Sequence, residues 1–164
     1  MTGERGAGLA AKFRHTNEAV LGLVAGCSEA DWRRACVNEG RSVAVVSYHI
    51  AAGYDLTRAV AEAGVAGEPV PGHIGQGEAE WAAINAHQAE NQADCTREEI
   101  IALLERNGMT MLTFLNGLSD DQLARIPTFA PGVPMALIIE HVIIGHAKGH
   151  LASLKATLQQ KAQP

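Results

Sequence analysis

Apolar residues recur along this chain at steps of three, four and seven, the repeat of an amphipathic α-helix. Between Leu9 and Gly26 the larger ones are Leu9, Phe13, Val20, Leu21, Leu23 and Val24, which form one helical face. A second long segment runs from Ser42 to about Ala63, with the stripe Val45, Val46, His49, Ala52, Leu56, Ala59 and Val60. Strand patterns are missing: Val43 to Val46 is the one β-branched cluster outside the last helix, and it continues into helical spacing. Only 4% of the residues are aromatic although 47% are hydrophobic, so the core is built from Ala, Val, Leu and Ile, which suits closely packed helices.

Helix starts are marked chemically. Ser28 with Asp31, Thr96 with Glu99 and Ser119 with Gln122 each place a hydroxyl three residues before a side chain that can bond back to it. They predict a short turn of helix through Trp32, a long helix from Thr96 to Gly117 and a short segment at Ser119 to Gln122. A helix from about Glu78 to Ala93 and a last helix from about Met135 to Gln160 complete the set. Gly64 to Gly77, with five glycines and two prolines, reads as a surface loop, and Ile126 to Pro134 as an irregular stretch. The expected fold is all-α: an antiparallel four-helix bundle with short additional helices, in one domain spanning residues 1–164.

Charge and cysteine usage narrow the partners. A net charge of −5 with 13 Lys+Arg offers no basic footprint for nucleic acid or an anionic membrane. The apolar region Met135 to Ile144 is broken by Glu140 and His141, so no membrane span is expected, and the N-terminus has no signal-peptide core. Cys27, Cys36 and Cys95 are odd in number and show no C-x-x-C spacing. A reduced, cytoplasmic protein is the expectation. A chain of this length should bury roughly 70% of its unfolded surface, enough to fold without a disulfide or metal.

Seven histidines then need an explanation. His146 and His150 stand at i and i+4, so they project from one helix face and can reach one metal ion. The H-E-x-x-H proteases use that spacing, but Ala147 follows His146 here and the catalytic glutamate of that motif is missing. A polar helix flank is the other reading of the pair. Gly145 and Gly149, each just before a histidine, suggest close approach by a neighbouring helix, and the apolar Ile139, Val142, Ile143 and Leu154 would turn the pair inward. His141, at about 100° per residue, falls roughly 140° from His146 and faces another helix or solvent.

His49 sits mid-stripe, where a histidine is either a hydrogen-bonded core residue or a ligand; both ring nitrogens need partners in either case. One metal bound by His49, His146 and His150 would satisfy all three rings, and three neutral nitrogens with open positions suit Zn, Ni, Fe or Cu. His15 and His87 read as surface residues and His73 as a loop residue. Asn85, Gln88 and Asn91 either line a pocket or form a solvated helix face. There is no G-x-S-x-G elbow, and Gly72 to Gly77 lacks the G-K-[ST] ending of a phosphate loop.

A histidine in the second long helix and an H-x-x-x-H pair in the last resemble the DinB/YfiT-like superfamily, which includes the mycothiol-dependent maleylpyruvate isomerase type. The likeness runs through nearly the whole chain: Leu21-Gly22-Leu23-Val24 before Ser28-Glu29-Ala30-Asp31-Trp32, then Ser42 through His49-Ile50-Ala51, Trp81 with Ala83-Ile84-Asn85-Ala86, Thr96-Arg97-Glu98-Glu99, and Gly145-His146 through His150-Leu151. The resemblance implies a four-helix bundle with an unusual connection order, a homodimer, and a divalent metal on His49, His146 and His150 at a pocket. It also implies activation of a low-molecular-weight thiol, such as mycothiol or bacillithiol, for transfer or isomerisation. In the isomerase type one histidine of the last-helix pair is Glu, whereas this chain keeps both.

Two functions follow as expectations. The first is a metal-dependent S-transferase, isomerase or hydrolase that uses a low-molecular-weight thiol or activated water on a small molecule. The second is a non-enzymatic module that binds a small ligand or partner, with the histidines structural or metal-free. No general acid or base is identifiable from the sequence.

Overall fold

The computed structural model describes residues 3–72, 74 and 77–160. His73 therefore lies outside the described residues, as do Gly75 and Gln76 of the glycine-rich stretch. The chain is helical throughout: α1 (Glu4–Gly26), α2 (Glu29–Trp32), α3 (Val43–Ala66), α4 (Glu78–Asn91), α5 (Arg97–Gly117), α6 (Asp120–Ala124), α7 (Met135–Leu137), a π-helical segment (Ile138–Ile144) and α8 (Gly145–Gln159). Among the described residues, pairing of extended backbone is limited to one bridge, Ala35 with Ser42. Among the described residues no helix is long and apolar enough to cross a membrane.

The expected caps form. Ser28, Thr96 and Ser119 each accept from the backbone N–H three residues on, and Asp31, Glu99 and Gln122 accept in return from the cap backbone N–H. Ser42 caps α3 by accepting from the Val45 N–H. Each such cap satisfies a donor that a helix leaves orphaned and is worth about 1 kcal/mol. Helix α3 runs three residues past the expected end and stops at Gly67, whose φ of 79° closes the helix in a left-handed turn.

Four long helical elements surround the core, and their order is not sequential. Helix α1 packs on α5 and α8, and α3 likewise packs on α5 and α8, so α1 lies diagonally opposite α3. The Phe13 and Tyr54 rings meet across that diagonal, edge to face, with centroids 4.8 Å apart. Val20, Val24, Ile50, Leu104, Met111, Leu115, Ile139, Ile144 and Leu154 fill the remaining core. The buried indole of Trp32 in α2 donates Nε1–H to the carbonyl of Cys95, in the connection between α4 and α5, at 2.8 Å.

Helix α1 approaches the C-terminal end of α5 closely at Gly6. A Cβ built there would lie 2.8 Å from the Leu118 carbonyl oxygen and 2.9 Å from that of Leu115. Backbone oxygens cannot swing aside as side chains do. Gly6→Ala should therefore destabilise the protein by about 1–3 kcal/mol despite alanine's better helix propensity. A urea-denaturation midpoint lowered relative to the parent protein is the expected reading; an unchanged or raised midpoint would refute it.

Two expectations are corrected. The stripe Val45–Val60 of α3 is not the core face over its whole length: Ile50, Tyr54, Ala61 and Val65 turn to the core, whereas Ala52, Leu56, Ala59 and Val60 are half-buried. Two of the stripe residues, His49 and Leu56, instead border a cleft, described below. The last helix also does not keep one geometry. Ile138 and Ile143, and Ile139 and Ile144, are pairs five residues apart, the spacing that i→i+5 hydrogen bonding stacks. All four are buried, while Leu137, His141 and Val142 face outward. Regular α-helical turns would scatter these isoleucines around the helix. The Gly145 N–H donates to the Glu140 carbonyl at the end of this wide segment, just before the histidine pair.

Candidate metal centre

The three predicted histidines meet. His49 projects from the middle of α3, and His146 and His150 from successive turns of α8, with one ring nitrogen of each within 4.8 Å of the others. The Nε2 of His146 lies between its neighbours, 3.2 Å from Nε2 of His49 and 3.1 Å from Nε2 of His150. The rings stand edge to face, with centroids 4.5–5.1 Å apart. His49 is buried, His150 half-buried, and His146 reaches solvent along the cleft.

The outer nitrogens orient these rings. His49 Nδ1–H donates to the Gln88 amide oxygen on α4 at 2.8 Å. His150 Nδ1–H donates to Glu39 Oε1 at 2.6 Å, and Glu39 Oε2 accepts from Arg41 at 2.8 Å. Burial alone would raise the Glu39 pKa, but hydrogen bonds from Arg41 and His150 outweigh it and hold the carboxyl below the usual range. An ionised carboxylate only accepts, so the His150 proton must sit on Nδ1. With both Nδ1 atoms protonated, the Nε2 atoms of His49 and His150 present lone pairs toward His146.

Three facing lone pairs cannot satisfy one another. If His146 Nε2 carries a proton it can serve one neighbour and not both; if it carries none, all three repel. A cation removes the conflict. Two imidazole nitrogens bound to one ion at about 2.0–2.1 Å sit roughly 3.0–3.4 Å apart, which matches the two separations from His146 Nε2, while all three ligand nitrogens lie within 4.8 Å of one another. Carboxylate and amide partners on the far side of ligating rings are the usual orienting shell of such sites. The donor set therefore fits a divalent ion that accepts neutral nitrogen, and it does not discriminate among Zn, Ni and Fe.

The electrostatics keep the His49 and His146 rings neutral. Burial lowers the His49 pKa, and burial together with the neighbouring His150 and His49 takes His146 down to about 4. His146 is an exposed residue, with the His49 and His150 rings packed edge to face against its own. Because the folded pKa lies below the ordinary 6.5, the unfolded chain takes up protons more readily between pH 6.5 and about 4. The metal-free protein should hold its stability above pH 6.5 and lose it progressively down to about pH 4. Denaturation of the metal-free parent and of His146→Gln at pH 7.5 and 4.5 checks the sign. The parent should lose more stability on acidification; an equal loss would contradict the assignment.

A cleft of about 350 Å³ opens onto His49 and His146, walled by Gly53, Leu56 and Thr57 of α3, Trp81, Ile84, Asn85 and Gln88 of α4, and Val142. Val142 was expected to help turn the pair inward; it is exposed and forms part of the wall. Gly149 has no atom within 4 Å of an added Cβ, and Gly145 meets only the Glu140 carbonyl at 3.6 Å. The expected close approach of a neighbouring helix at these glycines is thus corrected. His15, His87 and His141 are exposed, and His87 accepts from its own helix neighbour Asn91.

Glu39 was not apparent from the sequence. It sits in a tight turn held by the Ala35–Ser42 bridge, with Asn38 at φ 65° and Gly40 at φ 67° on either side. The signal was local: Asn38-Glu39-Gly40-Arg41 sets an acid against an arginine in a turn just before the helix that carries His49. Gln88 was one of three polar residues on α4 considered as pocket-lining, and it does reach the site.

A family model described as the DinB superfamily matches residues 12–154, a span that contains all three histidines, Glu39 and Gln88. No significant match was found among curated proteins or solved structures.

Proposed function

We propose, from the premise that this chain belongs to the DinB superfamily, that it holds one divalent metal ion on the Nε2 atoms of His49, His146 and His150. On this reading it is an enzyme acting on a small molecule with the help of a low-molecular-weight thiol or water, of the S-transferase, isomerase or hydrolase type. The observation that supports it is the set of unpaired Nε2 lone pairs, turned inward by Gln88 and Glu39. When bound, such an ion acts as a Lewis acid that lowers the pKa of a coordinating thiol or water.

The protein's own residues have separable tasks. Glu39, clamped by Arg41, keeps the His150 proton on Nδ1, and Gln88 does the same for His49. The cleft orients a small molecule against the face formed by His49 and His146. Among the described residues lining it there is no carboxylate, lysine or cysteine. The Thr57 hydroxyl is already donated to the Gly53 carbonyl at 2.7 Å. The cleft thus orients and excludes water, and its own walls bring no strong acid or base to the reacting end.

Elemental analysis of untagged protein, followed by calorimetric titration of the loaded protein with a low-molecular-weight thiol, tests this reading. About one ion per chain and saturable thiol binding that disappears on metal removal are expected. Metal-free protein that binds small ligands equally well would favour a non-enzymatic binding module.

A further inference from the structure

Helix α3 carries a glycine where the cleft wall meets the histidines. Gly53 follows His49 by four residues and lines the cleft, half-buried, in the interior of a 24-residue helix. Glycine inside a helix is less stable than alanine, so its presence there calls for a reason. Other helical glycines have one in packing. A Cβ at Gly6 would run into the Leu115 and Leu118 carbonyls, one at Gly64 into the Met135 sulfur, and one at Gly108 into the Asn17 amide. Gly53 has no such neighbour. Apart from its chain neighbours and its own helix backbone, a Cβ there would meet one atom within 4 Å, Cε1 of His146 at 3.9 Å, which is ordinary contact. Gly8 and Gly22 of α1 also have free space, but both are exposed surface residues. The fold therefore does not require glycine at position 53, and the space it leaves empty belongs to the cleft.

That space has a definite place. On an α-helix a side chain leans back toward the N-terminus and covers the turn before it. A side chain at position 53 would lean over His49, while its Cβ stood against the His146 ring. It would fill the corner where the two cleft-lining histidines meet, and the glycine opens that corner down to the backbone of α3. The wall from α4 brings Trp81 and Ile84, and Leu56 and Val142 add apolar surface. Among the described lining residues none is Asp, Glu, Lys or Arg, so a charged body would lose its hydration there without a partner. A cleft of about 350 Å³, with bare backbone in one wall and an indole in another, suits a flat apolar group such as an aromatic ring.

We infer that Gly53 determines specificity at this cleft: by leaving the wall bare beside His49 and His146, it admits an uncharged ligand whose body is a flat apolar ring. This deepens the proposed function by naming a substrate class, and it rests on that reading only for which end of the ligand reacts.

Ethanethiol and benzyl mercaptan carry the same thiol and differ in the ring. Their affinities for the full-length protein as purified are to be measured by saturation-transfer NMR titration. Benzyl mercaptan should bind the parent at least about tenfold more tightly, through burial of its ring. In Gly53→Ala the added methyl should weaken benzyl mercaptan about tenfold or more, the usual effect of one carbon too many in an apolar pocket, and change ethanethiol little. Metal content should stay the same, and the urea midpoint should rise because alanine favours the helix. Gly22→Ala, the same exchange on the exposed face of α1, should raise the midpoint and leave both probes as in the parent. The inference is overturned if the parent binds both probes equally or neither. It is also overturned if Gly53→Ala keeps the ring preference or weakens both probes alike. Loss of metal or of stability in Gly53→Ala overturns it too, for the glycine would then serve the histidines or the fold. A metal-free parent whose ring preference disappears in Gly53→Ala refutes the metal reading and sustains this one; a metal-loaded parent without the preference does the reverse.

Discussion

Replacing His146 with Ala is expected to strip the metal from the protein without unfolding it. His146 Nε2 is the middle donor, 3.2 Å from one neighbour and 3.1 Å from the other, so its loss leaves two rings with no shared third ligand. Metal content of untagged protein should fall from about one ion per chain to less than about a tenth of that, since site affinity depends on ligand number as well as type. Helicity should persist because α8 is anchored on its other face by Ala147, Leu151 and Leu154. A domain of this size does not need a metal to fold. Elemental analysis paired with circular dichroism reads both outcomes. Retained metal would remove His146 from the site, and collapse of the helical signal would make the ion structural.

The second large effect is expected at a residue that touches no metal. Glu39→Ala should weaken metal affinity about 10- to 100-fold, the usual cost of losing a partner that orients a ligating histidine. It leaves His150 Nδ1 without its acceptor and Arg41 without its ion-pair partner. Arg41 is already in difficulty, for its Nη1 is buried with no hydrogen bond. Glu39→Gln keeps an oxygen for His150 and should lose less than Glu39→Ala. Competition titration against a chromophoric chelator measures both variants. Nitrogen NMR of the histidine rings should show the Nδ1–H tautomer of His150 depleted in Glu39→Ala and retained in Glu39→Gln. Parent-like affinity in Glu39→Ala would mean that the carboxylate serves only the turn.

Local chemistry was legible in the chain and global arrangement was not. The serine and threonine caps act within three residues, so their hydroxyls marked α2, α3, α5 and α6 directly. The i, i+4 pair in α8 was readable for the same reason, and His49 stood out because a polar ring interrupts an apolar stripe. Glu39 acts across 111 positions, on His150, and depends on a turn whose left-handed residues bring its carboxylate beneath α8. No periodicity reports such a contact. The diagonal placement of α1 and α3 is also a property of how four amphipathic helices share one core, to which each single stripe is indifferent. Even the π-helical segment had a trace in the five-residue spacing of its isoleucines, but that spacing acquires meaning only once the core side is known.

X-ray absorption at the metal edge of the untagged, metal-loaded protein tests the central claim most directly. If the ion is zinc, the account predicts three imidazole nitrogens at about 2.0–2.1 Å with the outer scattering of histidine rings. A first shell dominated by sulfur at about 2.3 Å, or one with no imidazole signature, would contradict it.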